Sequence, residues 1–134
     1  MKGEEAMRKD IRFVYESHKQ GTQEEQREAV FQAARRHLPH VVAWISPQGN
    51  APLWVVLPTE IDPRELLRLS EQEGVIFAPG PVASDERSTA ILHFSHLEPS
   101  EIEEGLKRLG RLIVKYMDLA SQTNGTPSSR FVGP

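Results

Sequence analysis

Cysteine is absent from this 134-residue chain. Disulfides, thiolate metal sites and cysteine catalysis are thereby excluded, and the absence fits a reducing compartment. An excess of basic residues is lacking too: 16 Lys and Arg face 19 Asp and Glu, for a net charge of −3. Nucleic-acid binders normally carry a basic face, so that class is set aside. No apolar run approaches the roughly 18 residues that a membrane span needs. Met1-Lys2-Gly3-Glu4-Glu5 is charged and lacks the apolar stretch of a secretory signal. The expectation is a cytoplasmic protein with neither a nucleic-acid nor a membrane partner. Lysines are few: Lys2, Lys9, Lys19, Lys107 and Lys115. All lie in helical stretches with charged neighbours, whereas a Schiff-base lysine needs a pocket that lowers its pKa. Gly49, Gly74, Gly80, Gly105 and Gly110 form neither a Walker pattern nor a dinucleotide fingerprint. Ser46, Ser84, Ser95 and Ser100 lack a nucleophile-elbow context.

What is present is enough for one domain with a core, since 38% of the residues are hydrophobic. Met7, Ile11, Val14, Tyr15 and His18 recur at helical spacing and predict an opening helix. Gly21 would end it, and Thr22 with Glu25 reads as a capping box for a second helix running to Leu38, before Pro39. Val41–Ile45 and Leu53–Leu57 are apolar and β-branched, hence strands. The second does not alternate and reads as a strand covered on both faces or at a sheet centre. Asp62, Pro63 and Glu65 mark the start of a third helix, with Leu66, Leu67 and Leu69 inward and Gly74 beyond its end. Val75–Phe77 and Ala90–Ser95 are further strands. Pro99 opens a last helix with Ile102, Leu106, Leu109, Ile113, Tyr116 and Met117 on one face. The order α-α-β-β-α-β-β-α implies an α+β fold, a two-layer sandwich with about four strands in a mixed or antiparallel sheet. Residues 1–21 are expected as an N-terminal helix, 22–120 as the domain and 121–134 as a flexible tail rich in Gly, Pro, Ser and Thr. If the strands flanking the third helix are parallel neighbours, that crossover is right-handed.

Few side chains suggest chemistry. His37 and His40, like His93 and His96, are three apart, but two histidines fall short of the three or four ligands of a zinc site. Glu98, Glu101, Glu103 and Glu104 sit where a helix dipole favours acids. Arg35 and Arg36 sit where it favours bases.

Three segments together resemble one family. Pro47-Gln48-Gly49-Asn50-Ala51-Pro52-Leu53-Trp54-Val55-Val56-Leu57-Pro58 is similar to the "P-x-G-G-x-x-L-W-V-x-L-P" segment of fold-type-I, pyridoxal-phosphate-dependent aminotransferases of class I/II. Gly74-Val75-Ile76-Phe77-Ala78-Pro79-Gly80 resembles that family's "G-V-x-x-x-P-G". The segment from Leu92 to Gly105 resembles its "L-x-F-S-x-x-x-P-E-E-I-E-E-G". Gln26 to Pro39 resembles the helix before them, so the likeness covers roughly residues 24–117. The resemblance implies the C-terminal small domain, which closes over substrate held on a larger domain.

In that family the large domain supplies the Schiff-base lysine, the phosphate cup and the aspartate on the pyridine nitrogen. No segment here resembles those, so this chain alone is expected to hold no cofactor and to have no catalysis of its own. The small domain itself should bring substrate-binding positions: the "G-G" pair, here Gly49 and Asn50, and a carboxylate-gripping arginine, here Ile91. Isoleucine cannot make the bidentate pair that role requires. Arg87 lies four residues earlier, out of register. The chain is thus expected to be a fragment or stand-alone remnant, with a homodimer or a large-domain chain as partner. The alternative is a non-catalytic binding or regulatory module, as in the aminotransferase-like effector domains of winged-helix transcription regulators.

Overall fold

The computed structural model describes residues 10–15, 23–45, 51–82 and 87–125. The elements run β1 (Ile11–Phe13), α1 (Gln23–His37), β2 (Ala43–Ile45), β3 (Leu53–Val56), α2 (Pro63–Gln72), β4 (Val75–Pro79), β5 (Thr89–Leu92) and α3 (Pro99–Gly125). The fold is α+β, as expected, with one strand more than expected. The five strands order β1-β4-β5-β3-β2. β1 runs parallel to β4, and the other neighbours are antiparallel.

The opening helix is the main correction. Ile11 and Phe13 are buried and the intervening Arg12 is exposed, a period of two rather than 3.6. Ile11 pairs with Val75 and Phe13 with Phe77, so β4 supplies backbone partners that an isolated helix would have to make internally. Residues 7–9 and 16–18, the rest of that stretch, lie outside the described residues, as do Gly21 and Thr22. At the other end, 121–125 continue α3 rather than starting a tail, and 126–134 lie outside the described residues. The expected strand from Val41 begins only at Ala43, because Val42 N–H turns back to the Pro39 carbonyl. The strand expected from Ala90 starts at Thr89 and ends at Leu92. β3 and β4 are not neighbours; β5 lies between them, so the crossover condition is not met.

The core forms on one side of the sheet. Leu53, Val55, Val75, Phe77, Ala90 and Leu92 are buried there with Ile11 and Phe13. Val30, Ala33 and Ala34 of α1, Leu66 of α2 and Ile102, Leu106, Leu109 and Ile113 of α3 close over them. β3 alternates buried and half-buried residues, so the continuous run Leu53–Leu57 marks an internal strand with a partly covered second face. Asp62 caps α2 as expected, its Oδ1 accepting from Arg64 N–H at 3.0 Å. Glu65 does not complete the box: it pairs with Arg68, while the Asp62 N–H donates to the Tyr116 hydroxyl at 3.1 Å. Gly74 follows α2 with φ 80°, a left-handed conformation that suits glycine. Among the described residues, no helix is long and apolar enough to cross a membrane.

Candidate functional site

Alternation along the strands sends one set of side chains into the core and the other to the opposite sheet face. Register places Ile91 of β5 between Trp54 of β3 and Ala78 of β4 on that second face. All three are half-buried. Gly80 lies against this strand, since a Cβ there would collide with Thr89 and Ile91 side-chain atoms. Thr89 Oγ1 donates to the Pro81 carbonyl at 2.6 Å. Ile91 is thus a sheet residue with apolar neighbours. The paired positions Trp54, Ile91 and Ala78 offer a carboxylate no cation. Gly49 and Asn50, the other two expected substrate-binding positions, lie outside the described residues.

The histidines go to separate structural tasks. His37, at the end of α1, donates from Nε2 to Glu103 Oε2 at 2.7 Å. Arg36 reaches the same carboxylate with Nη1 at 2.8 and 2.9 Å from its two oxygens. These bonds, first to His37 and then to Arg36, hold the Glu103 carboxyl below the ordinary value of 4.5. His96 donates from Nε2 to the Arg12 carbonyl at 2.7 Å and so fastens β1. The His93 backbone N–H donates to the Phe13 carbonyl at 3.0 Å, and its ring meets Tyr15 edge-on at 5.8 Å between centroids. Partial burial, and secondarily the charge of His96, push His93 below the usual 6.5. Among the described residues, no group of three His, Asp or Glu is placed to hold a metal ion.

Of the five lysines, Lys107 and Lys115 are described, both on α3. Lys115 is exposed and Lys107 half-buried. Neither stands in the desolvated pocket that an imine-forming amine requires. The acids at the start of α3 serve the helix: Glu101 Oε1 accepts from Glu98 N–H at 2.8 Å, and Glu104 pairs with Arg108. Sequence reasoning missed the joint made by Arg36, His37 and Glu103. Only Arg36 and His37 at one helix end and Glu103 at another's start hinted at it, without saying that the two ends meet.

No protein-family model matches the chain. It is 32% identical over 94 residues to aromatic-amino-acid aminotransferase 1 of Thermococcus litoralis, covering 68% of this chain and 22% of that protein. It is 32% identical over 92 residues to the 2-aminoadipate transaminase of Thermus thermophilus, covering 66% of this chain and 23% of that one. The crystal structure of a multiple substrate aminotransferase from Thermococcus profundus superposes with a TM-score of 0.65 at 29% identity, over 72% of this chain and 25% of that one. The α-aminoadipate aminotransferase of Thermus thermophilus, complexed with N-(5'-phosphopyridoxyl)-L-leucine, gives 0.64 at 31% identity, over 71% and 25%. The chain therefore spans about a quarter of the length of the proteins it matches.

Proposed function

This chain matches the C-terminal domain of fold-type-I aminotransferases, and from that premise we propose that it is the small domain of such a protein, without catalysis of its own. One observation carries the reading: the likeness takes in 66% to 72% of this chain but only 22% to 25% of its relatives. The match is confined to that quarter of each relative. Two features of the residues support the absence of catalysis. Neither Lys107 nor Lys115 has the surroundings of an imine-forming lysine, and Ile91 occupies the position where the family resemblance calls for a carboxylate-binding arginine. Amino-acid transfer would need both a carbonyl cofactor held covalently and a cation for the substrate carboxylate.

The role that remains is that of a partner: a domain that covers or completes a site on another chain or domain. The apolar second face of the sheet around Trp54, Ile91 and Ala78 supports this reading, because half-buried apolar surface gains from being covered. The test is to incubate the purified chain with pyridoxal phosphate and a panel of amino acids and to quantify pyridoxamine phosphate and keto acid. The expected rate equals that of pyridoxal phosphate with free lysine at matched amine concentration. Turnover well above that control would overturn the proposal.

A further inference from the structure

β1 occupies a slot whose walls come from distant parts of the chain. The Ile11 N–H donates to the Gly74 carbonyl at 2.7 Å, and the pairing with β4 continues through Arg12 with Ile76 and Phe13 with Phe77. The turn after β5 supplies further donors. His96 Nε2 reaches the Arg12 carbonyl at 2.7 Å, and the His93 N–H reaches the Phe13 carbonyl at 3.0 Å. All of these bonds hold backbone, so they place no demand on the side chains of the strand they receive.

Selection among side chains comes from beneath. Ile11 is 3% exposed and Phe13 0%, while Arg12 between them is exposed. Gly105 of α3 forms the floor: a Cβ there would stand 2.5 Å from the Phe13 ring and 2.9 Å from Ile11 Cγ2. A glycine inside a helix is unfavourable on propensity alone, so its use here goes with the close approach of these two side chains. The slot therefore admits an extended strand, parallel to β4, that reads apolar, any, aromatic. Gly74, β4, His93, His96 and Gly105 all lie within residues 24–117, the stretch that resembles aminotransferases. β1, the strand that fills the slot, comes from outside that stretch. It pairs along three residues only, which places it among the segments most ready to open locally.

We propose that this slot is a recognition site for an extended strand of another protein with the pattern apolar, any, aromatic, which displaces β1 and pairs with β4 in its place. β1 is then an internal competitor that keeps the slot filled until such a strand arrives. The inference rests on the partner role proposed above and gives that role a site. Strand binding is measured without reference to catalysis, so the two readings fail separately.

The experiment is nuclear magnetic resonance titration of the whole chain with a synthetic peptide of residues 10–15. In Phe13→Ala the internal strand loses the ring that lies over Gly105. The peptide should bind this variant saturably and about ten-fold more tightly than the wild type, with shifts at Val75, Phe77, His93 and Gly105. The same peptide with alanine in place of its phenylalanine should not bind. Hydrogen exchange of the wild type needs no variant. The Ile11 and His93 amides, both bonded across the slot, should exchange at least about ten-fold faster than those of Val55 and Ala90, because β1 leaves while the sheet stays. One common exchange rate would mean that β1 leaves only when the whole domain unfolds, and would overturn the proposal. So would equal binding of the two peptides, or no binding by a Phe13→Ala chain that keeps its sheet. A wild-type dimer that Phe13→Ala abolishes would also overturn it, since the strand received would be β1 of a second copy.

Discussion

Gly110 stands in the middle of α3, where glycine ordinarily costs up to about 1 kcal/mol relative to alanine. A Cβ at that position would fall on the His37 carbonyl oxygen of α1, which is backbone and cannot swing away. Gly110 is therefore the point at which α1 and α3 come close, and the contact outweighs propensity. Gly110→Ala is predicted to destabilise by about 1–3 kcal/mol despite the better helix former, as measured by urea unfolding. A stabilising result would mean that the helices separate at no cost.

His93 makes a second prediction at this scale. Its folded-state pKa lies below 6.5 because burial, and then His96, disfavour the charged ring. The unfolded state takes up the proton more readily, so this contribution to stability is complete above pH 6.5 and declines as pH falls below it. The melting temperature should drop between pH 7 and 5, and less steeply in His93→Gln. An identical slope in that variant would assign the effect to other groups.

At the scale of elements, the α1–α3 joint rests on one carboxylate with two basic partners. Glu103 is 39% exposed and Arg36 56%, so solvent screens the pair and each ion pair contributes at most about 1 kcal/mol. Glu103→Gln should lower the melting temperature by about 2–5 °C at pH 7. Because its pKa lies below 4.5, the wild-type advantage should persist down to that pH and fade below it. Melting curves of both proteins from pH 7 to 3 check this.

The elements also show what the sequence made legible. α2 was readable because Asp62, Pro63 and Gly74 each carry a local conformational reason to start or stop a helix. β3 and β4 were readable from dense β-branched apolar runs. β1 was not. Ile11-Arg12-Phe13 is too short to distinguish two periodicities, and its conformation is decided by β4 and by the His93 and His96 bonds, which lie more than sixty residues away. The place of β5 between β3 and β4 is likewise a matter of long-range pairing that no local pattern encodes. Among the candidate site positions, Ile91 was located by resemblance to a motif.

At the scale of the whole molecule, β1 extends the sheet, and the buried apolar residues among those described form one cluster. A chain with one continuous core meets the physical requirement for folding as a unit, yet it matches only about a quarter of each aminotransferase relative. We propose that this domain has the fold of the family without residues that hold the cofactor. Absorbance titration of the purified chain with pyridoxal phosphate tests this most directly. The prediction is a weak imine band that grows without saturating, as for exposed amines. A band that saturates at one cofactor per chain and is abolished by substituting a single lysine would contradict it.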